Sequence, residues 1–217
     1  MLTIKIFSAL LLGFTIGLTG ALVPGPMLFA TIELSLKRGW LVGPQVVLGH
    51  MLIELVIFIL ILFGFASFVG SGAISAISVV GGLALSVFGL ITIKDAKTAA
   101  SAGISPETSD LKLISNPIAL GLITSVSNPY FWIWWLTAGS ALVLRENELG
   151  LLISLAYIVG HWTADFGWFT VVSGSFSRGK ALFSQKTHSL ILYACGIFLT
   201  FFGFYFMLNY NSAAQLF

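Results

Sequence analysis

Residues 55–93 read LVIFILILFGFASFVGSGAISAISVVGGLALSVFGLITI, thirty-nine positions without one ionisable side chain. A membrane span takes roughly 20 apolar residues at about 1.5 Å of rise each, so this run is too long for one helix and suits two. Ser67, Gly70, Ser71 and Gly72 supply the turn signal that divides it. Working outward, charges and turn residues cut the chain into six such pieces, approximately 4–35, 42–67, 74–94, 117–144, 149–174 and 187–210. The expected fold class is all-α, a polytopic membrane protein of six transmembrane helices.

Composition points the same way. Hydrophobic residues make up 58% of the 217 and charged ones 8%, against about 25% charged in an ordinary soluble domain. The formal charge is +2 and no basic run exceeds two residues, so nucleic-acid binding has no footprint. Cys195 is the single cysteine and can form neither an internal disulfide nor a CxxC pair. Lys5 followed by apolar residues resembles a secretory leader. The uncharged stretch from Ile6 to Ile32 is longer than a leader's apolar region of about 7–15 residues, so it reads as the first membrane helix. The partners expected are the bilayer and a small molecule, with no cofactor, and a homo-oligomer is compatible with the sequence.

Lys37, Arg38, Lys94, Lys97, Lys112, Arg178, Lys180 and Lys186 fall on one side of the six pieces, Lys5 and Arg145 on the other. Basic residues in short loops stay cytoplasmic, which places both termini outside.

The chain echoes itself at a spacing slightly above one hundred residues. The second piece carries Gly49-His50-x-x-x-Glu54 and the fifth Gly160-His161-x-x-x-Asp165. Gly82 and Gly89 in the third are seven apart, as are Gly196 and Gly203 in the sixth. The first piece is interrupted by Pro24-Gly25-Pro26 and the fourth by Asn128-Pro129. Three spans per half make the second half enter the membrane inverted. The organisation expected is residues 1–94 as one three-helix repeat, 95–116 as a cytoplasmic connecting loop that is either a solvated connection or a short surface helix, and 117–217 as the inverted repeat, with broken first and fourth helices. That plan is common among secondary transporters, whose sites lie near the midplane at broken helices.

Pro26 lies eleven residues from Lys37, and Pro129 twelve from Pro117. Each break is therefore roughly 16–18 Å from the cytoplasmic end, near the middle of a core about 30 Å thick. A proline disfavours helical geometry in the residue before it, so Gly25 and Asn128 should be extended. Unpaired backbone groups at that depth are tolerated only against protein or a wet cavity. The half-helix from Met27 would point amides and a positive dipole end inward, suiting a carboxylate, while Ser127 and Asn128 would cap the half-helix from Pro129. Packing kinks are the plainer reading of either break alone.

Glu33, His50, Glu54, His161 and Asp165 are the titratable groups inside apolar spans, where they are costly and commonly mark a pathway or proton relay. His50 and Glu54 are four apart, as are His161 and Asp165, so each pair shares one helix face and can hydrogen-bond. Glu54 and Asp165 would carry coupling protons or hold an ammonium, with the imidazoles exchanging protons beside them. Helix-to-helix hydrogen bonding is an equal account of the histidines, and the four groups could also hold a divalent metal. Glu33 is one turn from Lys37 and is expected to pair with it. Tyr130, Phe131, Trp132, Trp134 and Trp135 follow the second break; some would line a cavity, although interfacial belts are commoner. A hydrolase built on His161 with Ser173 or Ser175 fails on spacing, since those serines lie over three turns along the same helix.

Pro24-Gly25-Pro26, then Gly39, Gly43 and Gly49, the acid Glu54, and the later Asn128-Pro129 together resemble the LysE/RhtB family of amino-acid exporters. The resemblance implies a six-helix exporter in the cell (inner) membrane, moving amino acids or related metabolites by proton exchange. The site positions it implies are Pro24, Gly25, Pro26, Glu54, Asn128 and Pro129. Met27 stands where typical members have Asn, and Tyr130 where they have Lys, which removes polar groups from that site. The functional expectation is export of a small zwitterion, with the amides of Met27 and Leu28 on its carboxylate; the rival is a divalent metal-ion exporter using His50 and His161.

Overall fold

The computed structural model describes residues 2–22, 25–64, 71–102, 116–179 and 184–210, and all of its regular structure is helical. In chain order these are α1 (Leu2–Ala21), α2 (Pro26–Arg38), α3 (Val42–Leu62), α4 (Ser71–Ala102), α5 (Pro117–Val126) and α6 (Pro129–Trp134). A five-residue π-helical turn (Trp135–Gly139) then leads into α7 (Ser140–Glu148), followed by α8 (Leu151–Gly179) and α9 (Gln185–Leu208).

Local chemistry accounts for the boundaries. Gly25 is extended (φ −134°, ψ 178°) and Pro26 opens α2, where a missing amide costs nothing. Gly39, with φ 98°, ends α2 in a conformation that a side chain would strain. Asn116 caps α5 through Oδ1, which accepts from the amides of Ile118 and Ala119 at 2.9 and 3.3 Å. Asn128 is extended (φ −97°, ψ 107°) and caps α6, its Oδ1 accepting from the Tyr130 amide at 3.1 Å. Ser127 does not share that cap. It closes α5 instead, its amide donating to Ile123 at 2.9 Å.

Three of the described helical stretches, Leu2–Ala21, Val42–Leu62 and Ser189–Leu208, are long and apolar enough to cross a membrane. Ser78–Lys94 and Pro117–Val126 are shorter apolar stretches. Ile4, Phe7, Leu52, Val80, Phe201 and Leu208 point outward from these elements, an apolar exterior that water would not tolerate at this density.

The helices approach each other through glycine. Gly82 and Gly89 of α4 lie against Gly203 and Gly196 of α9, so that a Cβ on Gly82 or Gly196 would overlap the facing carbonyl. Gly160 of α8 abuts the Leu10 carbonyl of α1, and Gly13 of α1 the Tyr157 carbonyl of α8. Gly49 of α3 abuts the Ile118 carbonyl of α5, and Gly121 of α5 the Val46 carbonyl of α3. Small residues give lipid-embedded helices their close packing. Here they pair α4 with α9, α1 with α8 and α3 with α5. Beyond these, α2 packs on α8 and α7 on α3.

One end of the bundle is tied by polar bridges. Ser173 donates to the Trp40 carbonyl at 2.7 Å, Thr92 to Glu33 Oε2 at 3.1 Å, and Ser189 to the Ala96 carbonyl at 2.9 Å. These bridges gather Lys37, Arg38, Lys94, Lys97, Arg178 and Lys186 at that end; Lys112 and Lys180 lie outside the described residues.

Two boundaries are set by the structure. The third piece, read as ending near 94, continues as helix through Ala102, where the Ala-rich opening of the connection extends α4. The fourth piece is interrupted twice, at Ser127–Asn128 and again by the π turn, of which the apolar pattern carried no sign.

Candidate functional site

The two proline breaks meet. Met27, at the start of α2, places its sulfur 4.0 Å from the Oγ of Ser125, at the end of α5. Both border a cavity of about 630 Å³ that Gly25, Pro26 and Asn128 also help to line. Pro24 lies outside the described residues, and Pro129 is the first residue of α6. The amides of Leu28 and Phe29 both donate to the Gly25 carbonyl, at 3.0 and 3.4 Å. The open end of α2 therefore differs from the expectation: the Leu28 amide is occupied, and Met27 carries the amide not committed to Gly25.

His50 and Glu54 of α3 and His161 and Asp165 of α8 all reach this cavity. The convergence follows from each pair's four-residue spacing on its own helix and from the packing of α3 and α8 around α1, α2 and α5. Glu54, 1% exposed, is the hub. Its Oε1 lies 3.0 Å from His50 Nε2 and 3.2 Å from His161 Nε2, and accepts from Trp135 Nε1 at 3.2 Å. Asp165 Oδ2 stands farther from the same two imidazoles, 3.6 Å from His161 and 4.0 Å from His50. Within each helix the pairs thus differ: His50 is at hydrogen-bond distance from Glu54, whereas His161 is not from Asp165. Glu54 Oε2, Asp165 Oδ2 and His161 Nδ1 are buried and have no hydrogen-bond partner among the described residues. Buried polar atoms left open in this way call for an explanation, such as an absent water, ion or ligand.

Ser125 extends the network. Its Oγ lies 2.6 Å from His50 Nδ1 and 2.7 Å from the Gly121 carbonyl. A hydroxyl has one proton. Given to Gly121, it leaves Oγ to accept from His50 Nδ1–H; given to His50, it leaves Nε2–H to face Glu54. Ser125, His50, Glu54 and His161 thus form one continuous line of polar contacts.

Aromatic rings border the charged groups. The Phe131 ring centroid lies 5.3 Å from that of His50, and the Trp134 centroid 5.3 Å from that of His161. The π turn lets Trp134 line the cavity while Trp135, 1% exposed, bonds Glu54. Part of the aromatic run therefore faces inward. Trp132 bonds the Val126 carbonyl at 2.9 Å.

Ser125 was not singled out in the sequence, and Trp135 only as one member of the aromatic run, without its bond to Glu54. They lie seventy-five and eighty-one positions from their partners His50 and Glu54, and no local spacing reports such contacts. Glu33 pairs with Lys37 at 2.6 Å, as the spacing predicted, and does not line the cavity. Ser173 is occupied by the Trp40 carbonyl.

The model of a family described as LysE type translocator matches residues 18–210. No curated protein and no solved structure matches the chain.

Proposed function

The chain belongs to the LysE type translocator family, and from that premise we propose that it is a six-span secondary exporter of an amino acid or related small zwitterion, driven by proton exchange. It is a multi-pass membrane protein, and the proposed location is the cell (inner) membrane with the basic end cytoplasmic.

The observation that carries this reading is the meeting of both helix breaks and both His–acid pairs at one cavity of about 630 Å³. That is the size of a small-molecule site. A cargo carboxylate would take the Met27 amide, with the positive end of α2 behind it, and the side-chain amide of Asn128. Its ammonium would take the open oxygens of Glu54 and Asp165, which would also carry the exchanged protons through His50 and His161.

The proposed plan is two inverted three-helix repeats, 1–94 and 117–217, joined by 95–116. Pairing supports it. Exchanging each residue for its counterpart turns the Gly82–Gly203 approach into Gly196–Gly89, and the Glu54–His161 pair into Asp165–His50; all four approaches occur. A site shared between such halves has the two-sidedness that alternating access requires.

A second reading has its own support. One ligand atom each from His50, Glu54 and Asp165 lies within 4.8 Å of the others, and imidazole with carboxylate suits several divalent ions. On that reading the ion is the cargo.

The test is purified protein in vesicles with an imposed pH gradient, screened against amino acids and divalent metals. Gradient-dependent amino-acid flux is expected, abolished in Glu54→Gln and Asp165→Asn. Flux of a divalent ion alone, lost in His50→Ala and His161→Ala, would replace the amino-acid reading with the metal one. No flux of either would remove both.

A further inference from the structure

We propose that the cargo is an amine or amino acid whose side chain is a large hydrocarbon, aromatic or branched, which rests on the translocator reading and narrows it to a substrate class.

Hydrogen-bonding capacity around the cavity carries the argument. The Thr124 hydroxyl is spent on the Leu120 carbonyl at 2.8 Å, and Ser125 is held between Gly121 and His50. Asn128 Oδ1 is spent on the Tyr130 amide. Among the described residues no lysine or arginine lines the cavity. Of the lining residues, those with buried side-chain atoms left without a partner among the described residues, Glu54 Oε2, Asp165 Oδ2 and His161 Nδ1, all belong to the one His–acid cluster; the other polar groups of the wall are the Asn128 side-chain amide and the Tyr130 hydroxyl, which meets Tyr205 at 3.3 Å. Most of the remaining wall is hydrocarbon, sulfur or ring: Met27, Phe131, Ile133, Trp134, Phe169 and Phe202.

A cargo matched to this wall has its polar groups at one end and an apolar body. Its ammonium would sit at the carboxylates with the Phe131 and Trp134 rings beside it, where ring faces attract a cation. A hydroxylated side chain would leave its hydroxyl unbonded against Phe or Met. The second ammonium of a basic side chain would be desolvated without a partner. The volume leaves ample room for an aromatic amino acid, and a small aliphatic one would fill little of it. A pocket of this kind separates cargoes by roughly 10–200-fold for each group gained or lost.

The experiment loads vesicles carrying the purified protein with tritiated phenylalanine, leucine, alanine, threonine or lysine and follows efflux under an inward proton gradient. Phenylalanine and leucine are expected to leave at least tenfold faster than threonine and lysine. In Phe202→Ala, on the α9 wall, the phenylalanine rate is expected to fall about tenfold while the alanine rate changes less than threefold. Where that variant does not fold, Phe169→Ala on α8 reads the same selective loss. Threonine or lysine leaving as fast as phenylalanine overturns the substrate class and leaves the translocator reading intact, as does an equal loss for alanine and phenylalanine in the variants. Efflux of none of the five overturns both.

Discussion

His161 Nε2 lies 3.2 Å from Glu54 Oε1, across the α8–α3 approach and 107 positions away in the chain, while the corresponding approach of His50 to Asp165 is 4.0 Å. Glutamate carries one more methylene than aspartate. Glu54 thereby reaches between both imidazoles and Trp135, whereas Asp165 stops short of them. One acid is held and the other is open.

The two acids should separate stability from transport. Glu54→Gln leaves two imidazoles and an indole around a group that also donates, an expected loss of about 3–5 kcal/mol, as for breaking a buried charged pair. Asp165→Asn disturbs no hydrogen bond among the described residues and should unfold within a few degrees of the parent. Both should lose at least a hundredfold in gradient-driven flux. Thermal unfolding in detergent beside vesicle flux measures the contrast, and equal destabilisation would contradict the hub geometry.

Trp135→Phe keeps the buried ring and removes the donor to Glu54. Losing one bond to a carboxylate is expected to cost about 1.5–3 kcal/mol. Denaturation midpoints should register it, and flux per folded molecule should fall as well, because the bond holds Glu54 in place between the two imidazoles. An unaltered flux would reduce Trp135 to packing.

Glu33 and Lys37 form a nearly buried pair, 6% and 7% exposed at the side chain, with Thr92 on the second carboxylate oxygen. Glu33→Gln or Lys37→Met alone removes one side of this nearly buried pair and should cost about 3–5 kcal/mol. The double variant should recover most of that loss. A double-mutant cycle gives the coupling, and cargo selectivity should not change in either case, because Glu33 and Lys37 do not line the cavity.

Gly49→Ala and Gly121→Ala each drive a Cβ into a facing backbone carbonyl of the α3–α5 approach. Overpacking of this kind costs about 1–3 kcal/mol. Gly174→Ala meets open space and should gain roughly 0.5–1 kcal/mol from the better helix former. The yield of folded protein in detergent ranks the three variants.

The breaks at Pro26 and Asn128, the Glu33–Lys37 pair and the matched glycine spacing of α4 and α9 were legible in the sequence; that those glycines face each other was not. Each legible feature is decided within a turn of helix or by a repeated pattern: proline forbids an amide, four residues return to the same face, and glycine admits a neighbour's backbone. Less legible were the reach of α4 to Ala102, where Ala-rich sequence suits helix and solvated loop alike, and the π turn at Trp135–Gly139, which interrupts α-helical periodicity within an apolar stretch.

The sequence by itself determined that this chain is helical and membrane-embedded, because runs such as 55–93 leave the backbone no partner but itself in lipid. It also determined where the breaks and the costly ionisable groups lie. Only the tertiary structure decided that these are one place. The hydrogen bond from Trp135, the Ser125–His50 contact and the unequal reach of Glu54 and Asp165 depend on how three helices cross, to within an ångström. No spacing along a single helix encodes that crossing.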